Sequence, residues 1–80
     1  MEIQILFFGI STDLVGSNSM TFKLFEKATI KELKEQLILD YSGLKNIHEF
    51  AIAVNEAYAD DELTLNNGDV VAIIPPVSGG

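Results

Sequence analysis

The 80-residue chain has no cysteine, no arginine, one histidine and only two prolines, which stand side by side at Pro75 and Pro76. A chain without cysteine has no disulfide framework, no thiolate-bound zinc or iron–sulfur cluster, no thiol nucleophile and no thiol redox chemistry. It suits the cytoplasm, where domains fold without covalent staples. The shortage of basic residues is equally informative. Five lysines stand against twelve acidic residues, a net charge of −7. That balance repels nucleic-acid phosphates and anionic bilayers, and it leaves a basic protein surface as the expected partner. The N-terminus runs from Met1 and Glu2 into an apolar stretch ending at Ile10. It offers no cationic leader and is too short to span a bilayer, so neither export nor anchoring is expected.

Conventional catalytic groups are scarce. His48 has no second histidine or cysteine to join it, and a metal site would have to draw on Glu49, Asp60, Asp61 or Glu62, whose spacing matches no standard metal loop. A solvated histidine and no metal are expected. The acidic run at Asp60, Asp61 and Glu62 reads as a soluble loop. Gly16-Ser17-Asn18-Ser19 reads as a turn, because it lacks the lysine and the spacing of a phosphate-binding loop.

Apolar residues make up 48% of the chain and charged residues 21%, the balance of a globular domain rather than a disordered segment. At this size only about 60% of the unfolded chain's surface is buried on folding, so nearly every apolar residue is needed for one core. Ile3, Ile5 and Phe7 alternate with Gln4, Leu6 and Phe8 up to Gly9, the period of a strand. Beyond the turn formers, Met20, Phe22 and Leu24 alternate with Thr21 and Lys23, which completes a β-hairpin. Thr29 and Glu32 fit a capping box that starts a helix. Ile30, Leu33, Leu37, Ile38 and Tyr41 share one face of it, Lys31, Glu32, Lys34 and Glu35 take the wet face, and it ends near Ser42 and Gly43. Phe50 to Val54 forms a third strand with Phe50, Ile52 and Val54 on one side and alanines on the other. A polar loop from Asn55 to Glu62 surrounds a short segment at Tyr58. Leu65 to Val70 is a tight reversal in which Asn67 and Gly68 tolerate positive φ. Val70 to Ile74 is the last strand, ended by two prolines that cannot donate to a ladder.

This order predicts an α+β roll: a mixed sheet of four or five strands with one main helix over residues 1–74, the first and last strands adjacent in the centre, and a flexible tail over residues 75–80. One helix covers only one face of such a sheet. If Ile5, Phe7, Val71 and Ile73 pack beneath it, then Leu6, Phe8, Ala72 and Ile74 face outward, and nothing in the chain covers them. That arrangement predicts a protein interface. The other reading is that these residues curl into loops or belong to a strand buried on both sides of a small closed roll. Tyr58 joins the patch in the first reading and forms a lid on the core in the second.

The tail carries the chemistry. Pro75 and Pro76 make a stiff exit, Val77 and Ser78 continue it, and Gly79 and Gly80 follow with no side chains, thin enough to thread a narrow channel. The reactive group is then the terminal carboxylate itself. A free carboxylate is a poor electrophile and needs activation, most naturally as an acyl-adenylate made from ATP by another enzyme, before sulfur or an amine can attack it. Three functions are open on these residues: a sulfur carrier, a protein modifier joined to lysines through its diglycine, and an interaction module that offers its Pro-Pro tail as a polyproline II ligand.

A β-grasp order with a projecting diglycine is a ubiquitin-like arrangement. Several stretches carry a more specific likeness. They are Ile5-Leu6-Phe7-Phe8-Gly9, Asp13-Leu14-Val15-Gly16, Ala53-Val54-Asn55 and the run from Leu65 through Asn67-Gly68-Asp69 to Pro75-Pro76-Val77-Ser78-Gly79-Gly80. Across essentially the whole chain they resemble the family of small, sulfur-carrying subunits of molybdopterin synthase. Thiamine-pathway sulfur carriers share the fold and the diglycine but usually lack the Pro-Pro-Val-Ser element. Ubiquitin has arginines leading into its diglycine, where this chain has none.

The resemblance implies a cycle. An adenylating enzyme similar to the ubiquitin-activating class activates Gly80 with ATP as a transient glycyl adenylate, and a persulfide donor converts it to 1-thioglycine. The charged carrier then inserts its tail into the large subunit of molybdopterin synthase, where catalytic residues are expected. There the sulfur is given to the cyclic pyranopterin monophosphate precursor, two carriers supplying the two dithiolene sulfurs of a heterotetramer of two small and two large subunits. On this reading Gly80 bears the sulfur and no cofactor is bound stably. Gly79, Ser78, Val77, Pro76 and Pro75 give access, while Phe8, Tyr58 and Ile74 match the family's docking surface. Many members carry a basic residue just after the first strand, where this chain has Ile10, Ser11 and Thr12.

Overall fold

A computed structural model of the chain describes residues 1–76; the expected sulfur-bearing Gly80 and the access residues Val77, Ser78 and Gly79 lie outside the described residues. The elements are β1 (Glu2–Phe7), α1 (Ile10–Val15), β2 (Ser19–Lys23), α2 (Ile30–Asp40), single 3-10 turns at Ser42–Leu44 and Ile47–Glu49, β3 (Ala51–Val54), β4 (Ala57–Tyr58) and β5 (Val70–Ile74). The five strands form one sheet in the order β2-β1-β5-β3-β4. β1 and β5 pair in parallel at its centre, and the outer pairings are antiparallel.

Alternation along the strands sends one set of side chains beneath α2. Ile3, Ile5, Phe7, Ile52, Val71 and Ile73 meet Ile30, Leu33 and Leu37 of the helix, each at most 3% exposed. The capping box forms as the sequence predicts. The Glu32 amide donates to Thr29 Oγ1 at 3.3 Å, and the Thr29 amide donates to Glu32 Oε1 at 2.9 Å, which satisfies two of the donors that a helix start leaves unpaired.

Four features depart from the sequence reading. First, β1 and β2 pair as expected, but the connection between them contains α1, a helical turn that sets the buried Ser11 and the half-buried Val15 against the core. Second, Lys34 is not on the wet face of α2. It is buried, and its Nζ donates to Asp61 Oδ1 at 2.7 Å. Third, Gly68 has φ 86°, whereas Asn67 keeps an ordinary negative φ; its side-chain oxygen instead accepts from the Glu2 amide at 2.7 Å, while the Gly68 amide donates to the Glu2 carbonyl. The reversal thus pins the start of β1. Fourth, the polar loop after β3 opens with a tight two-residue hairpin turn in which both Asn55 and Glu56 have positive φ, at 50° and 73°. These are the signs that the right-handed twist of a two-residue hairpin demands.

The candidate docking face and the tail exit

The sheet face opposite α2 is assembled by register. Leu6 on β1 lies opposite Ala72 on β5, Ala72 opposite Ala53 on β3, and Ala53 opposite Tyr58 on β4. One step along, Phe8 lies beside Ile74, which pairs with Ala51; one step back, Gln4 pairs with Val70. Among the described residues these three rows contain no charged side chain, on a chain of net charge −7. Phe8 is 49% exposed and Tyr58 80% exposed, and Ile74, Leu6 and Ala72 are half-buried. The closed-roll reading therefore fails, and Tyr58 is not a lid on the core. Val70, at 38% exposure, belongs to the same face. The parity that marks Ala72 and Ile74 marks it as well, and the sequence reading stopped two residues short of it.

The end of β1 is held rigidly beside this face. The Phe8 amide donates to the Ile73 carbonyl at 3.2 Å. The Phe8 carbonyl accepts from both the amide and the hydroxyl of the fully buried Ser11, and the Phe7 carbonyl accepts from the Thr12 hydroxyl at 3.1 Å. Gly9 follows with φ 56° and ψ −138°, a conformation open almost solely to glycine. It lies against the tail: a Cβ placed on Gly9 would come 3.4 Å from Pro75 Cγ. Pro75 is half-buried and Pro76 exposed. Pro75 and Pro76 therefore leave the central strand of the sheet at the end where Phe8 and Ile74 sit.

His48 is exposed on the turn at Ile47–Glu49, and among the described residues no group of three histidine, cysteine or acidic side chains could hold a metal ion. Asp61 is perturbed by its neighbour. The hydrogen bond from the Lys34 ammonium holds its carboxyl below the ordinary carboxylate range, against a smaller opposing effect of burial. That pair ties the segment after Tyr58 to α2, as do the Lys31 amide on the Asp61 carbonyl and the Ile30 amide on the Leu63 carbonyl. No helix of the described residues is long and apolar enough to cross a membrane.

Comparison with known proteins gives these features a context. Residues 5–80 match the ThiS family. The molybdopterin synthase sulfur carrier subunit of Chlamydomonas reinhardtii is 37% identical over 83 residues, covering the whole of both chains. Among solved structures, one is a complex of subunits 1 and 2 of the molybdopterin-converting factor of Helicobacter pylori; the chain it matches there is 30% identical, with a TM-score of 0.70 over the whole of both chains. The small archaeal modifier protein 1 of H. volcanii superposes with a TM-score of 0.85 over 95% of this chain and 98% of that one, at 18% identity, a likeness of fold alone. These neighbours share the ubiquitin-like β-grasp.

Proposed function

The chain belongs to the ThiS family, and from that membership we propose that it is the sulfur carrier subunit of molybdopterin synthase. The relatives that bear this name match it along its full length. The observation that carries the reading is an outward face whose three rows nearest the tail hold no charged side chain, continuous with the central strand that runs straight into Pro75 and Pro76. A carrier needs both parts. The face lets it be held by a partner, and the thin tail lets its end reach chemistry that the chain does not itself possess.

In this function the body, residues 1–74, is a rigid handle and residues 75–80 are the delivery arm. An adenylating enzyme joins the Gly80 carboxylate to the α-phosphate of ATP and releases pyrophosphate. A persulfide sulfur then displaces AMP, and a thiol reduces the resulting acyl disulfide to the thiocarboxylate. Phe8, Tyr58 and Ile74 dock the charged carrier on the large subunit, which supplies the catalytic residues. Val77, Ser78 and Gly79 thread its channel, and the sulfur on Gly80 passes to the cyclic pyranopterin monophosphate precursor. Glycine suits both final positions because a foreign site can close on the backbone without meeting a Cβ.

Mass spectrometry of the chain isolated from its native cell tests this. An oxygen-to-sulfur exchange at the C-terminus is expected, and deletion of Gly80 should remove it while leaving the melting temperature unchanged. Diglycine remnants on the lysines of other proteins, with no thiocarboxylate on this one, would refute the carrier function in favour of a modifier.

A further inference from the structure

A partner that swallows the tail must face the surface on every side of the tail's base, not only the sheet. One side of that base is Phe8 and Ile74. Another is α1, which begins immediately after the glycine against which Pro75 packs. Its inner face is Ser11 and Val15, turned to the core. Ile10 and Leu14, four residues apart and so on one stripe of the helix, are 59% and 38% exposed. Leu14 rests on the turn at Ser42–Leu44, since a Cβ on Gly43 would lie 3.4 Å from Leu14 Cδ2. An open depression of about 500 Å³ lined by Leu6, Phe8, Thr12 and Ser19, among others, joins the sheet face to α1 on its other flank. Exposed apolar side chains therefore continue past Phe8 onto α1, at Ile10 and Leu14.

We propose that α1 is a second wall of the docking surface, with Ile10 and Leu14 buried against an apolar collar on the large subunit of molybdopterin synthase. The inference rests on the docking reading above and extends it to residues that reading does not use. Ile10 follows Phe8 by two residues and adjoins Gly9, against which the tail's first proline packs, and that position at the tail's base selects the same partner. The collar is apolar rather than basic at this point, because the chain offers it two aliphatic side chains; attraction to the chain's net charge belongs to the rim.

Calorimetric titration of the full chain into the purified large subunit tests this with Ile10→Ser, Ile10→Lys and Phe8→Asp. Ile10 is mostly exposed, so the variants should fold. Ile10→Ser should weaken binding roughly four- to twentyfold, the value of re-exposing just over half of a buried aliphatic side chain, and Ile10→Lys should weaken it further. If both Ile10 variants bind within twofold of the native chain while Phe8→Asp does not bind, α1 lies outside the interface and the inference is wrong, with the docking face intact. If Phe8→Asp also binds normally, the docking reading itself falls and takes this one with it. If the Ile10 changes instead weaken only self-association in sedimentation, or only binding to the adenylating enzyme, the assigned occupant is wrong.

Discussion

Phe7 and Phe8 are consecutive, chemically identical, and on opposite faces of one sheet, so a matched pair of substitutions separates folding from docking. Phe7 is 2% exposed and packs in the core beneath α2. Its replacement by alanine should cost about 3–5 kcal/mol, transfer and cavity together. An 80-residue domain has a total stability of only about 4–12 kcal/mol, at 0.05–0.15 kcal/mol per residue, so Phe7→Ala should be largely unfolded or melt tens of degrees lower. Phe8 is 49% exposed, and about half of the roughly 1.5–3 kcal/mol for burying a phenylalanine remains for a partner to gain. Phe8→Ala should therefore stay folded and bind the large subunit roughly three- to tenfold more weakly. Phe8→Asp should not bind measurably, since it would place an unpaired carboxylate in the interface. Thermal melts by circular dichroism and titration calorimetry read the two effects independently. A Phe8→Ala variant that unfolds while Phe7→Ala survives would show that the faces are assigned the wrong way round. A folded Phe8→Asp variant with native affinity would show that the outward face is not the docking face.

Asp61→Asn leaves the buried Lys34 ammonium without its charged partner. Because Asp61 is partly exposed and solvent screens the pair, the expected loss is modest, ~1 kcal/mol, or about 4–8 °C in melting temperature. The Asp61 carboxyl titrates below the ordinary carboxylate range when folded, so the unfolded chain binds more protons as pH falls through about 4. The pair's contribution is complete above that value and fades below it. Asp61→Asn should thus flatten the acid limb of a stability-versus-pH curve, and an unchanged limb would show that the pair carries no linkage. Thr29→Ala removes the hydroxyl that accepts from the Glu32 amide and should cost ~1 kcal/mol in chemical denaturation, with binding to the large subunit unchanged; a loss of binding at full stability would contradict the purely structural role of the cap.

What could be read from the sequence, and what could not, follows from the range of the interactions involved. Strand parity is a two-residue rule, so the assignment of Ile5 and Phe7 to one face and of Leu6 and Phe8 to the other needs no knowledge of the rest of the chain. The capping box is equally local, which is why Thr29 and Glu32 were legible. Lys34 was not, because its burial depends on Asp61, 27 residues away, and a lysine beside Leu33 reads as wet until that partner is placed. Ser11 was missed for the same reason: its donors are answered by the carbonyl of Phe8, and only the fold shows that the corner there is buried. Leu44 and Ile47, fully buried, sit on 3-10 turns too short to show any period. The outward face combines both cases. Parity identifies which residues point away from α2, but only the order β2-β1-β5-β3-β4 brings Tyr58, Ala53, Ala72 and Leu6 into one row. The parallel pairing of β1 with β5 then sets Phe8 and Ile74 side by side, at the end of the sheet where the tail departs. An antiparallel pairing of the same two strands would have kept every side chain on its face and moved Phe8 to the opposite end from Pro75. The direction of that single pairing is therefore what sets the outward apolar face beside Pro75 and Pro76.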